Sequence, residues 1–129
     1  MKEPSEKELF GVWNLERYFL IYQDGKASPI WNNVKGRLIY TASGFVSVVI
    51  VRSDLEQNSL SDVICYSGTY QVETEMILHK IFVSTIARHE GNTEVRRFVL
   101  SNGALILRNE THRSGIVHEV HWSKIDPLG

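Results

Sequence analysis

Seven polar side chains fall where strand alternation turns them toward the apolar side of a sheet: Arg17, Tyr40, Tyr66, Tyr70, His79, Arg96 and His118. Successive residues of a strand face opposite ways, so an inward Trp13 carries Leu15, Arg17 and Phe19 with it. The same count groups Leu38 and Tyr40 with Val46, Val48 and Ile50, then Tyr66 and Tyr70 with Val72, then His79 with Ile77, Ile81 and Val83. Arg96 falls with Phe98 and Leu100, and His118 with Val120, Trp122 and Lys124. The polar set holds two guanidinium groups, three phenols and two imidazoles, and no carboxylate. A guanidinium taken out of water needs an anion, carbonyl oxygens or water beside it. The expected binding set is therefore Arg17, Tyr40, Tyr66, Arg96, Phe98, His118 and Trp122. It would hold a small, largely hydrophobic molecule by a carboxylate, phenolate, enolate or carbonyl head, which the planar fork of arginine suits. Each arginine also has a structural alternative: Arg17 pairing with a carboxylate on an end loop, Arg96 curling to a rim with its stem on the wall.

His79 stands between Ile77 and Ile81, where desolvation favours the neutral imidazole, able both to give and to take a proton. With Tyr70 or Tyr66 it could move a proton on an enolisable ligand, which makes His79 and Tyr70 the catalytic pair of an enzymatic reading. The alternative is a core histidine bonded once to a tyrosine hydroxyl. Other chemistries are less well served. His118 and His121 lie on opposite faces of one strand, so they cannot join His112 around a metal, and no metal is expected. A haem would need His118 as axial ligand and a wider pocket, and no cofactor is expected. The chain has no glycine-rich phosphate loop, nucleophile elbow or Cys-x-x-Cys.

The elements that must position these side chains are strands. Gly, Asn, Asp and Ser punctuate runs of period-2 apolar residues, predicting eight strands at about 11–22, 35–41, 45–52, 62–73, 76–85, 93–101, 104–110 and 115–125. Turns at Thr41–Gly44, Glu73–Glu75 and Ser101–Gly103 join neighbours, so the fold class is all-β, an eight-stranded antiparallel up-and-down β-barrel. Ser5 and Glu8 have capping-box spacing, predicting one short helical turn over residues 4–9 that closes the barrel floor. Residues 24–33 read as a long loop over the open mouth, and 53–61 as a polar loop or short helix. A chain of 129 residues is one domain.

Composition narrows the partners. A net charge of −1 gives no field for nucleic acid or anionic membranes. The longest apolar run, Val46 to Val51, is strand-sized and interrupted by Ser47, so no membrane insertion is expected. The charged amino terminus has no apolar signal core, and a single cysteine excludes an intrachain disulfide, so a cytoplasmic location is expected unless a signal has been removed. On the outer wall, Ile39, Phe45, Val49, Val51, Met76, Leu78 and Phe82 would form an apolar patch, predicting a homodimer unless loops or a short helix cover them.

Several segments carry a family resemblance: Gly11-x-Trp13, Gly36-Arg37-Leu38-Ile39-Tyr40-Thr41-Ala42-Ser43-Gly44, Tyr66-Ser67-Gly68-Thr69-Tyr70, Val95-Arg96-Arg97-Phe98 and Trp122-Ser123-Lys124. In order and spacing the chain resembles the small bacterial and fungal lipocalin-like domain family, within the calycin-like barrels. The resemblance implies an intracellular barrel with a hydrophobic cavity, and a basic residue of the last strand, here Lys124, lying across Trp13. It implies no single reaction: many members have no assigned activity, and related barrels act as cyclases or isomerases. The expected function is binding of a small hydrophobic ligand. The alternative is an isomerase or cyclase acting on a polyketide-like or unsaturated carbonyl compound in the same cavity, with Arg96 stabilising an oxyanion.

Overall fold

The computed structural model describes residues 6–86, 89–109 and 115–125. Its strands are β1 (Gly11–Ile21), β2 (Ala27–Pro29), β3 (Val34–Tyr40), β4 (Phe45–Arg52), β5 (Val63–Glu73), β6 (Met76–Ser84), β7 (Thr93–Ser101), β8 (Ala104–Asn109) and β9 (Val117–Lys124). The order is β2-β1-β3-β4-β5-β6-β7-β8-β9, and β1 also pairs with β9, so eight antiparallel strands close into a barrel. The three-residue β2 comes from the expected first loop. It bonds to the end of β1 at Phe19 to Ile21, and Ile30 and Trp31 beyond it pack against the core. Residues Glu6–Glu8 form a short 3-10 turn, while Ser5 of the expected capping box lies outside the described residues. A second 3-10 turn, Leu60–Asp62, occupies the end of the polar segment. No helix of the described residues is long and apolar enough to cross a membrane.

One end of the barrel is plugged. Trp13 is fully buried, as are Leu9, Leu38, Val46, Ile77 and Leu105, and its indole N–H donates to the Leu9 carbonyl at 2.9 Å. The Lys124 ammonium lies 4.7 Å from the centre of the Trp13 ring and donates to the carbonyls of Glu8 and Phe10, as the resemblance implied. Gly11 sits at φ +123°, and a Cβ there would stand 3.0 Å from Lys124 Cε. Only glycine combines that backbone angle with so close a cation, which explains the first residue of the Gly-x-Trp pair.

Two bulges reset the side-chain parity. In β1 the register steps from Leu15 opposite Trp122 to Arg17 opposite His121, leaving Glu16 unpaired. Beyond that extra residue the inward set is Tyr18 and Leu20 instead of Arg17 and Phe19, because an inserted residue exchanges the two faces. In β6, Ile81 opposes Gly68 and Val83 opposes Ser67, so Phe82 is the extra residue and Val83 turns outward. The inward placements of Arg17, Phe19 and Val83 are thereby corrected. The outer wall of β3, β4 and β6 leaves Ile39, Phe45, Val49 and Phe82 exposed, Phe82 by 83%.

Candidate functional site

His79 holds the centre of the polar interior. It is fully buried on β6, and both ring nitrogens are engaged: Nε2 lies 2.7 Å from the Tyr40 hydroxyl and Nδ1 lies 2.7 Å from the Tyr66 hydroxyl. The partners arrive from β3 and β5, 39 and 13 residues away in the chain, so barrel closure and not local sequence assembles the triad. Burial drives the imidazole down to about 3, with the Arg96 charge adding to the effect, so the ring is neutral at physiological pH. Burial likewise pushes the Tyr40 phenol well above its ordinary range. Tyr66 rises for the same reason, opposed by the charge of Arg96 and its polar contact with the hydroxyl.

This arrangement differs from the expected His79–Tyr70 pair. Tyr70 sits opposite His79 in the ladder, but its hydroxyl donates to the Thr41 carbonyl at 2.8 Å and its ring packs 4.7 Å from that of Tyr40. The partners of His79 are Tyr40 and Tyr66, and the single-bond alternative understates its environment by one.

Arg96 comes from β7, the strand paired with β6, diagonal to His79. Its strand position opposes Ile77, an inward residue, and its charge acts on Tyr18 of β1, Tyr40 of β3, Tyr66 of β5 and His79 of β6. An inward guanidinium accounts for an effect on all four. Among the described residues Arg96 makes no ion pair; its remaining bond is to the Val95 carbonyl at 3.3 Å. Phe98, two residues along the same face, is partly buried against the core. Trp122 is buried to 3% exposure, and its indole N–H has no hydrogen-bond partner among the described residues. His118 projects inward and its Nδ1 lies 2.6 Å from the Tyr18 hydroxyl, whose phenol burial lifts to about 12.

Sequence alternation missed two residues of this interior. Tyr18 takes the place assigned to Arg17, which is exposed. The paired polar residues Glu16-Arg17 inside an otherwise apolar strand were the available signal, since a bulge turns two consecutive side chains outward. Glu94 opposes His79 in the β6–β7 ladder and so shares the face of Arg96, supplying a carboxylate where none was expected. It is held at the His89 ring, Oε1 to Nε2 3.3 Å. His121 points outward to Glu119 at 2.8 Å, as its parity required, while His112 lies outside the described residues. Among the described residues there is no cluster of three His, Cys, Asp or Glu side chains suited to a metal.

The geometry agrees with comparisons to known proteins. No curated protein matches the chain. The crystal structure of a lipocalin-like protein from Bacteroides uniformis superposes with a TM-score of 0.57 over 92% of this chain and 99% of its own, at 17% identity. That likeness speaks for the fold alone. The model of the lipocalin-like domain matches residues 10–59 and 50–125. The chain belongs to the lipocalin-like domain family.

Proposed function

We propose that the barrel encloses a cavity that binds a small, largely hydrophobic molecule carrying an anionic or carbonyl head group. The observation that carries this reading is Arg96: an inward guanidinium beside four aromatic side chains, with no ion pair among the described residues. A charge so placed is stable only with an acceptor or water beside it, and an anionic head group supplies the acceptor. Phe98, Leu20, Val120 and Leu107 furnish the apolar lining, and Tyr66, Tyr18 and the Trp122 N–H supply further donors. Ile30 and Trp31 pack against the same core. We place the protein in the cytoplasm, where the free thiol of Cys65 stays reduced, and as a homodimer through the exposed wall around Phe45 and Phe82.

An isomerase or cyclase acting on an unsaturated carbonyl compound is the second reading, favoured by the Tyr66 hydroxyl and Arg96 meeting at one point where a developing oxyanion would be stabilised. In that reading His79 orients the tyrosines, since both its nitrogens are already bonded. The test of the container is a fluorescence titration with the neutral apolar probe N-phenyl-1-naphthylamine. Saturable one-to-one binding is expected, and Val120→Trp, which adds bulk to the inner face of β9, should abolish it with the far-UV circular dichroism unchanged. Unsaturable binding, or equal binding by the filled variant, would rule the container out.

A further inference from the structure

The Tyr40–His79–Tyr66 triad contains one more proton than its two hydrogen bonds can use. A neutral imidazole carries one N–H and one bare nitrogen, and each phenol carries one O–H, giving three donors for two bonds. Whichever tautomer forms, one tyrosine donates to the bare nitrogen and the other accepts from the N–H, keeping its own proton free. Placing that proton on Tyr40 would orphan a donor only 1% exposed, since the described residues offer its hydroxyl no partner besides His79. Placing it on Tyr66 sets it beside Arg96, the other donor lacking an anion among the described residues. Neither placement gives the spare proton a protein acceptor among the described residues, but at Tyr66 a single bound acceptor serves both that proton and the Arg96 N–H. The second arrangement is therefore the one a ligand satisfies: Tyr40 donates to Nε2, Nδ1–H donates to Tyr66, and the Tyr66 proton points to the Arg96 side.

Resting on the container reading, we infer that the barrel takes its ligand as an oxyanion, a carboxylate, phenolate or enolate oxygen held jointly by Arg96 and the free hydroxyl proton of Tyr66. The charged and titratable groups around this point are Arg96 from β7, Tyr18 from β1, Tyr40 from β3, Tyr66 from β5 and His79 from β6. Glu94, the carboxylate on that face, acts against an anion, and its contact with the His89 ring draws it aside. The donors outnumber the acceptors, so the neutral, protonated form of the same ligand would accept more weakly from Arg96 and Tyr66 and would bring one more proton needing an acceptor.

The test uses 4-nitrophenol, whose ionisation is read in visible absorbance, beside 4-nitroanisole, which cannot ionise. An apolar interior without this site raises the pKa of a bound phenol, whereas the inferred site lowers it. The expected result is a fall of about one pKa unit or more on binding, which is a tenfold preference for phenolate. Arg96→Met should reverse the shift, and the near-isosteric Tyr66→Phe should reduce it. A bound phenol titrating at or above its value in water, with nitroanisole also bound, would overturn the oxyanion site and leave the container standing. Retention of the full shift in Arg96→Met would equally overturn it. If neither probe binds, the container itself fails, and this inference with it.

Discussion

His79 gives the protein a distinct acid response. The imidazole is fully buried between two tyrosine hydroxyls and titrates at about 3, against 6.5 for an ordinary histidine. Between those values the unfolded chain binds a proton that the folded barrel refuses, so the His79 contribution to stability is fully present above pH 6.5 and falls as pH drops below it. The slope is about 1.4 kcal/mol per pH unit, reaching about 3 kcal/mol by pH 4 and about 4 kcal/mol by pH 3, where it levels off as the folded imidazole takes its own proton. That loss is large beside the roughly 5–15 kcal/mol holding a small domain folded. The assay is urea denaturation of wild type and His79→Gln at pH 7.5, 6, 5 and 4. Glutamine keeps one donor and one acceptor and has no titration, so subtracting the curves cancels the carboxylates and the other histidines. The expected difference narrows by about 3 kcal/mol from pH 7 to pH 4 as the wild type loses its advantage. A difference independent of pH would refute the buried, neutral triad.

Three further outcomes follow from the packing. Gly68→Ala should cost about 2–4 kcal/mol and lower Tm by roughly 10 °C, because the new Cβ would lie 1.9 Å from the Lys80 carbonyl oxygen and force β5 and β6 apart; an unchanged Tm would contradict the bulged register. Arg17→Met should leave probe affinity within about twofold of wild type, since the side chain is on the outside, and a loss comparable to that of Arg96→Met would return Arg17 to the interior. Phe82→Lys should convert the proposed dimer to monomer by sedimentation equilibrium, placing a charge on an 83% exposed aromatic of the outer wall; a monomeric wild type at tens of micromolar would remove the dimer.

The barrel was legible because its strands are long, alternate cleanly and are separated by explicit turns. The inward rows of β3, β4, β5 and β9 follow from counting by two, and the plug follows from Gly11, Trp13 and Lys124. What alternation could not carry was parity across a bulge. One unpaired residue at Glu16 exchanged Arg17 for Tyr18, and another at Phe82 expelled Val83, each flipping every side chain beyond it. The burial of His79 was also readable, whereas its partners were not. Tyr40 reaches it across β4 and β5, a contact set by curvature and closure, and Tyr70, nearest in the ladder, turns its hydroxyl to Thr41 instead. Glu94 was missed because the inward row of β7 was counted only from Arg96, although the same alternation extends to it.

The central claim is that a ligand sits inside the barrel against Arg96 and Tyr66. Intermolecular nuclear Overhauser effects from bound 4-nitrophenolate to assigned side-chain protons test it most directly. Cross-peaks to the rings of Tyr66, Tyr18 and Phe98 are expected; cross-peaks only to Phe82, Phe45 or Val99 on the outer wall would contradict it.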